Sequence, residues 1–299
     1  MCGLPLNYDS PLALKALLEK RGLGMRKRLG QNFLIKGAIR KKLAAALELR
    51  PGDGVWEIGP GLGAMTAELL EQGARVKAFE IDPGFLEFLQ EEFSGNPGFS
   101  LVPGDVLKTW KGEAEVPFLL GNLPYNIAAA LLGDFAEGNR FFRRMVVTVQ
   151  KELGCRLTAR PGQADYSSFT VLIAGLYKIK SLVTMGASCF YPPPRVDSVG
   201  IRLDLREECI PPLTGKITHP FPPLMYPMVR RLFSSRRKTV KNSLWAFVSS
   251  RSGMEQGARD LTMSALEYCG IRPDERPENL DIPQFRELAL QLQRLGLGE

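Results

Sequence analysis

Short apolar runs alternate with amphipathic stretches between Gly54 and Leu205, and this alternation is the clearest pattern in the chain. A compact apolar run predicts a buried strand, whereas apolar positions spaced three and four apart predict one face of a helix. The alternation indicates an open α/β sheet with helices on both faces, in which ligands bind at the carboxyl ends of the strands. Helices are predicted at Met65–Gln72, Gly84–Phe93 and Ala128–Phe135, and strands at Gly54–Ile58, Arg75–Ile81, Phe99–Val102, Val116–Leu120, Met145–Val149, Ser168–Ala174, Lys178–Thr184 and Ser198–Leu205.

The segments on either side of this sheet are predicted to be helical. Two amphipathic helices, Pro11–Arg21 and Ala38–Glu48, precede it, and a proline-rich stretch, Pro211–Pro227, follows it. We therefore expect two domains, an α/β domain over residues 1–206 with an N-terminal helical extension and a small all-α domain over residues 207–299. The helices predicted in the second domain are Met228–Arg236, Thr239–Val248, Leu261–Cys269 and Ile282–Leu295.

Basic residues are concentrated in two segments that contain no Asp or Glu, Arg26–Lys42 and Cys209–Met254. The 299 residues include 39 Lys and Arg against 32 Asp and Glu, so the net charge is +7. One basic run is most simply a solvated surface, but two long acid-free runs in one chain favour a polyanionic partner such as RNA. The expected RNA contacts are Arg26, Lys27, Arg28, Arg230, Arg231, Arg236, Arg237, Lys238 and Lys241.

The counts of histidine and cysteine exclude several kinds of site. With one histidine and no Cys-x-x-Cys pair, neither a metal centre nor a histidine base is expected. The five cysteines are scattered, which is typical of reduced thiols in a cytoplasmic protein. No apolar run of ~18 residues is present, so we expect no membrane partner.

A glycine-rich turn closes the first predicted strand and opens a helix. Its spacing, Gly59-x-Gly61-x-Gly63, differs from the Gly-x-Gly-x-x-Gly of dinucleotide-binding proteins. Glu80 ends the next strand, where a carboxylate can accept hydrogen bonds from ribose hydroxyls, and Asp105 ends the third, where it can accept from an adenine amino group. A tight turn that binds no ligand would not require Glu80 and Asp105 at the next two strand ends. The set therefore predicts S-adenosylmethionine, which has a ribose and an adenine but no phosphate.

The fourth predicted strand ends in the sequence Asn122-Leu123-Pro124-Tyr125. An amine conjugated to a base ring is a poor nucleophile, and hydrogen bonds to the Asn122 side-chain oxygen and the Leu123 carbonyl would make its nitrogen more tetrahedral. Pro124 would fix the turn and Tyr125 would stack on a base taken out of its helix. A sulfonium is already an activated methyl donor, so direct in-line transfer needs orientation but neither a metal nor a covalent intermediate.

With these motifs in order, the chain resembles the ribosomal RNA adenine dimethyltransferase family along most of its length. Leu29 and Trp56 depart from the family pattern, and the first 25 residues lie outside the matched motifs. The motifs that carry the resemblance are Arg26–Leu34, Glu57–Gly63, Asn122–Ile127, Gln150–Glu152, Tyr166–Phe169, Phe190–Ser198, Arg236–Ser243 and Arg276–Leu280.

The resemblance implies a site and a substrate. Phe190 would form the second aromatic face against the target base, opposite Tyr125, although a core phenylalanine is the simpler interpretation. The substrate would be two adjacent adenosines in a hairpin near the 3′ end of small-subunit rRNA, free or in an assembled subunit, and the enzyme would be a monomer. The cofactor contacts implied are Asn32, Leu34, Gly59, Gly61, Glu80, Asp105 and Asn122.

Two alternatives remain open at this point. A large-subunit rRNA adenine methyltransferase of the macrolide-resistance type would share the fold and the chemistry, but Leu123 and the Arg276–Leu280 motif favour the small-subunit enzyme. A non-catalytic RNA-binding assembly factor could retain the same fold. The intact Asn122–Tyr125 sequence favours catalysis over that second alternative.

Overall fold

The computed structural model describes residues 6–24, 31–209, 220–235, 237–252 and 255–298. The chain divides into two compact units. The first comprises Met1–Gly154 and Ile179–Leu205, and the second comprises Cys155–Lys178 and Arg206–Glu299. We expected residues 1–206 to form one domain. Within that range, the segment Cys155–Lys178 instead belongs to the second unit, together with the C-terminal helices.

The first unit contains a seven-stranded sheet with the order β4-β3-β2-β5-β6-β9-β7. The strands β2 to β6 pair in parallel, and β9 pairs antiparallel with β6 from Arg144↔Asp204 to Gln150↔Ser198. β5 and β6 are continuous apolar runs because helices cover both faces of a parallel sheet. The strands are β2 Gly54–Ile58, β3 Arg75–Glu80, β4 Phe99–Pro103, β5 Phe118–Asn122, β6 Arg144–Gln150, β7 Tyr177–Met185 and β9 Ser198–Leu205.

Helices of the first unit connect these strands and cover the sheet. The side chain of Asp82 caps α4 by accepting from the Gly84 N–H at 3.0 Å, and Pro83 occupies the first turn, where its missing N–H costs nothing. The helices are α1 Pro11–Lys20, α2 Gly37–Ala45, α3 Ala64–Glu71, α4 Pro83–Phe93, α5 Val106–Thr109, α6 Ala128–Glu137 and α7 Lys151–Thr158, which extends into the second unit.

A two-stranded sheet joins the N-terminal region to a segment far along the chain. β1, Phe33–Leu34, pairs antiparallel with β8, Phe190–Tyr191, and Leu34 lies opposite Phe190. Arg40 of α2 is buried and donates from Nη1 to the Leu34 carbonyl at 2.9 Å, and its Nη2 lies 2.7 Å from Asp9. These contacts hold β1 beside the glycine-rich turn.

The second unit is helical and has its own apolar core. The core side chains come from every helix of the unit, with Phe285, Met228 and Leu244 among the fully buried ones. Asp281 and Gln284 form a capping box at the start of the last helix, which fixes where that helix begins. The helices are α8 Ser168–Leu176, α9 Met225–Phe233, α10 Val240–Ser252, α11 Glu255–Tyr268 and α12 Ile282–Arg294.

One predicted element has the wrong secondary structure. The apolar run Ser168–Ala174 was expected as a strand but forms α8. The helix is buried on nearly all sides, so its sequence shows no polar face and its period is hidden. The signal for a helix is the capping box of Ser167 and Thr170, whose side chains and backbone N–H groups satisfy each other.

Candidate active site

The glycine-rich turn adopts left-handed backbone at all three glycines. Gly59, Gly61 and Gly63 have φ values of 67°, 57° and 79°, a region that side chains with a Cβ rarely adopt. Gly61 also lies close to β1, so an added Cβ would come within 2.7 Å of the Phe33 ring. The turn therefore needs glycine at this position for both conformation and space.

Glu80 lies at the carboxyl end of β3 and is almost fully buried. Its Oε2 accepts the Gly61 N–H at 3.1 Å, and its Oε1 accepts the N–H groups of Ile81 and Asp82 at 2.8 and 2.9 Å. A carboxylate has about four acceptor positions. Three are used by the backbone, which leaves about one position for a hydrogen-bond donor of a ligand.

Asp105 lies at the end of the neighbouring strand and begins α5. Its Oδ1 accepts the Leu107 N–H at 3.1 Å, as an N-cap residue does. The side chain borders the same cavity as Glu80. The two acids that were singled out in the sequence are thus brought to one edge of the sheet.

Asn122 ends β5 and is tied to the N-terminal region. Its Nδ2 donates to the backbone carbonyl of Asn32 at 2.7 Å. Because a carbonyl can only accept, this bond fixes the orientation of the amide and leaves Oδ1 at its other end. Asn32, Asn122 and Pro124 all border the cavity.

Leu123 and Tyr125, the other two residues of the Asn122–Tyr125 turn, do not border the cavity. Leu123 has a buried side chain, and its N–H bonds to the Thr148 carbonyl at 3.1 Å. Tyr125 is half-buried, and its hydroxyl lies 2.6 Å from Ser198 Oγ. Burial raises the pKa of Tyr125 above its ordinary value, so its hydroxyl stays protonated.

Phe190 is part of the core. Its side chain is 2% exposed and packs in the apolar cluster that contains Leu34, Leu43 and Met185. The structure therefore does not bring its ring together with Tyr125 at the cavity. It favours the simpler interpretation, because the strand pairing that positions Leu34 also buries Phe190.

A cavity of about 240 Å³ lies at the carboxyl ends of β2, β3, β4 and β5. Ile81 is 45% exposed and forms part of its apolar wall together with Met65, Phe79 and Phe85. All the expected cofactor residues border it: Asn32, Leu34, Gly59, Gly61, Glu80, Asp105 and Asn122.

Several lining residues were given no role in the sequence analysis, among them Ile81 and Glu57. Ile81 directly follows Glu80, and an apolar residue at the carboxyl end of a predicted strand is the signal that could have identified it. Glu57, in β2, is 2% exposed and accepts a hydrogen bond from Thr66 Oγ1 at 2.6 Å. The sequence placed Glu57 in the motif Glu57–Gly63 but assigned no cofactor contact to its side chain.

The basic residues fall into two groups. Arg40 is buried and paired with Asp9, and Arg144 is paired with Glu48 and Asp204, so both serve the fold. The expected RNA contacts Arg26, Lys27, Arg28 and Arg236 lie outside the described residues. Those that the structure describes are all exposed: Arg230, Arg231, Arg237, Lys238 and Lys241.

Neither a candidate metal centre nor a membrane-spanning helix is present among the residues that the structure describes. No group of three or more His, Cys, Asp or Glu side chains in the described part of the chain is arranged to hold a metal ion. Of the helices described, none is long and apolar enough to cross a membrane.

The family model of ribosomal RNA adenine dimethylases matches residues 22–262. The chain belongs to this family. A ribosomal RNA small subunit methyltransferase A from Treponema denticola is 42% identical over 289 residues, which is 94% of each chain. The protein of the same name from Treponema pallidum subsp. pallidum is 40% identical over 97% of this chain and 98% of its own length. The family resemblance that the motifs indicated is therefore confirmed.

Solved structures agree on the fold. A dimethyladenosine transferase from Plasmodium falciparum superposes with a TM-score of 0.76 and 24% identity over 88% of this chain and 98% of its own. The 23S rRNA methyltransferase ErmE gives a TM-score of 0.63 and 25% identity over 88% of this chain and 100% of its own. The predicted fold class, a Rossmann-like methyltransferase domain followed by a helical region, is confirmed.

Proposed function

We propose that this protein is an rRNA adenine dimethyltransferase that uses S-adenosylmethionine. It methylates the exocyclic 6-amino groups of two adjacent adenosines in a hairpin near the 3′ end of small-subunit rRNA. The family membership and the names of the two relatives from Treponema support the reaction and the subunit. In this proposal the first unit binds the cofactor and the basic surface of the second contacts RNA.

The observation that carries the proposal is the position of Asn122. It ends β5 beside the cavity, with Nδ2 bonded to the Asn32 carbonyl and Oδ1 at the opposite end of the amide. An acceptor held in one orientation next to a cofactor cavity is what transfer to an amine requires. Orientation of this kind is the main contribution that a protein makes to a direct transfer.

The residues of the cavity fit S-adenosylmethionine. Glu80 has an acceptor position for a ribose hydroxyl, Asp105 can accept from an adenine amino group, and Ile81 and Phe79 offer apolar faces for a planar base. The turn at Gly59 and Gly61 lets a ligand approach the backbone without a Cβ in the way. When bound, the cofactor supplies an activated methyl group on a sulfonium.

The chain's own residues then orient the amine by accepting hydrogen bonds from its N–H groups. Asn122 Oδ1 accepts one N–H of the target amino group, the Leu123 carbonyl accepts the other, and the pair favours the tetrahedral nitrogen of the transition state. Tyr125 stacks on the extruded base after turning from Ser198. The nitrogen becomes acidic as it gains the methyl group, so its proton passes to water without a dedicated base.

A large-subunit rRNA adenine methyltransferase is the second candidate, and the similarity to ErmE favours it. The two candidates differ in substrate alone. A methylation assay with purified small subunits that lack the modification, and in parallel with large subunits, separates them. We expect labelled methyl groups in the small subunits only; labelling of the large subunits alone would favour the second candidate, and labelling of neither would favour a non-catalytic factor.

A further inference from the structure

The segment Arg140–Arg144 contains three arginines, and the structure gives each a different environment. Arg140 is buried against tryptophan rings. Arg144 is paired with two carboxylates. Arg143 is exposed and forms no ion pair with the described residues. Two of the three therefore serve the fold, whereas Arg143 is left with no such role.

A further cavity, of about 200 Å³, lies at the amino ends of β2, β5 and β6. Its lining includes Arg50 and Arg143, and Pro117 and Phe118 form its apolar part. β2 has five residues that rise ~3.3 Å each, so this edge of the sheet is roughly 15 Å from the edge that holds the cofactor cavity. The two cavities are therefore separate sites of the same unit.

Two acidic groups near this cavity are already used by the fold. Glu48 bonds to Arg144 at 2.7 Å and to Arg202 at 2.5 Å, and Asp204 bonds to the same two arginines. Hydrogen bonds from Arg202 and Arg144 lower the pKa of Glu48, so it stays ionised at neutral pH. The network of two arginines and two acids thus has no net charge to offer a ligand.

The two other arginines of the lining are held by their backbone. The Arg50 N–H donates to Asp53 Oδ2 at 2.8 Å, and the Asp53 N–H donates to the Arg50 carbonyl at 3.0 Å. The Arg143 carbonyl accepts the N–H of Leu205 at 3.0 Å. Neither guanidinium is in an ion pair with a residue that the structure describes. Against these two cations the described lining leaves one acid, Asp53, so the remaining charge is positive.

A phosphate group matches this lining. A guanidinium is planar and presents paired N–H donors that fit two oxygens of a phosphate. Two guanidiniums that border one cavity repel each other, and an anion between them removes that repulsion. For a protein that acts on RNA, the phosphate at hand is a backbone phosphodiester, and the apolar part at Pro117 and Phe118 can pack against its ribose.

We propose that Arg50 and Arg143 bind a backbone phosphate of the rRNA, at a part of the RNA distinct from the target adenosines. This proposal depends on the proposed function, because it takes rRNA as the ligand. Consecutive phosphates of one strand lie ~3.4 Å apart along a duplex axis, so the contacted phosphate is several nucleotides away from the base in the active site. The contact adds affinity for the ribosomal particle and does not take part in the methyl transfer.

A double variant, Arg50→Gln with Arg143→Gln, removes both guanidiniums. It should raise the Kd for small subunits about three- to tenfold and make the slope of log K against log salt shallower by ~1. Because the site is remote from the cofactor cavity, kcat and the affinity for S-adenosylmethionine should stay within about twofold of wild type.

The matched control is Lys15→Gln with Arg21→Gln. It removes the same two charges from the same unit, at positions where each cation is paired with a glutamate. Its salt slope should equal that of the wild-type protein. Equal changes in both double variants would show an effect of net charge alone and overturn the proposal.

Arginine footprinting on the wild-type protein tests the contact without relying on a variant that must fold. Phenylglyoxal modifies exposed guanidiniums, and peptide mass spectrometry gives the rate for each arginine with small subunits, with inorganic phosphate, or with neither. We expect small subunits to protect Arg50 and Arg143 but not Arg75, which is exposed at the same edge of the sheet outside the lining. Equal protection of Arg75 would indicate general shielding and overturn the proposal.

The outcomes distinguish the source of the phosphate and the proposed function. Protection by inorganic phosphate without protection by subunits would assign the cavity to a free phosphate compound and overturn the contact with rRNA. If the wild-type protein methylates small subunits that do not protect Arg50 and Arg143, the proposed function stands and this contact is wrong. If it neither binds nor methylates small subunits, the proposed function is wrong, and the contact with rRNA is wrong as well.

Discussion

The side chain of Asn122 donates from Nδ2 to the backbone carbonyl of Asn32 at 2.7 Å. The bond joins the end of β5 to the residue that precedes β1, and it connects two parts of the chain that are 90 residues apart. It has two consequences. It fixes which end of the Asn122 amide can accept a hydrogen bond, and it holds Asn32 at the cavity wall.

Asn122→Ala should reduce methyl transfer far more than cofactor binding. Removing one oriented hydrogen-bonding group from a transition state costs about 10²–10³ in kcat. The affinity for S-adenosylmethionine should fall only about three- to tenfold, the cost of one modest hydrogen bond, because Asn32 loses its tie to the sheet. Single-turnover methylation and calorimetry measure the two effects separately.

Asn126→Ala is the matched control for this change. Asn126 borders the same cavity but is exposed, and it belongs to the same turn. Its loss of activity should be much smaller than that of Asn122→Ala. Equal losses of transfer and of binding in Asn122→Ala would show that Asn122 serves the cofactor and not the amine.

Tyr125→Phe and Tyr125→Ala should differ strongly. The Phe variant keeps an aromatic face and loses the hydrogen bond to Ser198, so its stability should fall by about 1 kcal/mol while kcat/KM stays near wild type. The Ala variant loses base stacking worth ~1–3 kcal/mol, so kcat/KM should fall roughly 5- to 150-fold. If both variants lose activity equally, the hydroxyl and not the ring is what matters.

Gly61→Ala should disturb the turn and the cofactor site together. The residue has φ of 57°, and an added Cβ would meet the Phe33 ring at 2.7 Å. We expect a loss of about 1–3 kcal/mol in the free energy of unfolding, together with weaker binding of S-adenosylmethionine. Gly95→Ala, where nothing lies within 4 Å of the added Cβ, should behave as wild type in denaturant unfolding and in binding.

Neutralising Arg236, Arg237 and Lys238 together should weaken RNA binding and its salt dependence. If all three contact phosphates of single-stranded RNA, the slope of log K against log salt should become shallower by ~2. The control is neutralisation of Arg272, Arg276 and Arg294, which are paired with glutamates in the same unit. An unchanged slope in the first variant would show that the cluster is an ordinary solvated surface and does not contact RNA.

The sheet could be predicted because central strands such as β5 and β6 are short apolar runs and because most strands alternate with helices. The observed bounds of β2 and β9 are the predicted ones. Those of β3, β4, β5, β6 and β7 differ from the predicted bounds by one or two residues at one or both ends. The cavity residues Gly59, Glu80, Asp105 and Asn122 could be predicted for a related reason. Each lies at the end of a parallel strand, and such ends meet at one edge of the sheet.

What could not be predicted depends on contacts between distant segments. The pairing of Leu34 with Phe190 involves two strands of two residues each, too short for any periodic signal, and it explains why Phe190 is buried in the core. α8 was mistaken for a strand because burial on nearly all sides removes the polar face of a helix. The burial of Glu57 and its hydrogen bond with Thr66 likewise depend on tertiary contacts that a sequence does not display.

The central claim is that this protein dimethylates two adjacent adenosines of small-subunit rRNA. The most direct measurement is nucleoside mass spectrometry and reverse-transcription mapping of small subunits from a strain without the modification, after incubation with the purified protein and S-adenosylmethionine. We predict N6,N6-dimethyladenosine at two neighbouring positions of one hairpin near the 3′ end. Modified bases found only in large-subunit RNA, or no methylated adenosine in either, would contradict the claim.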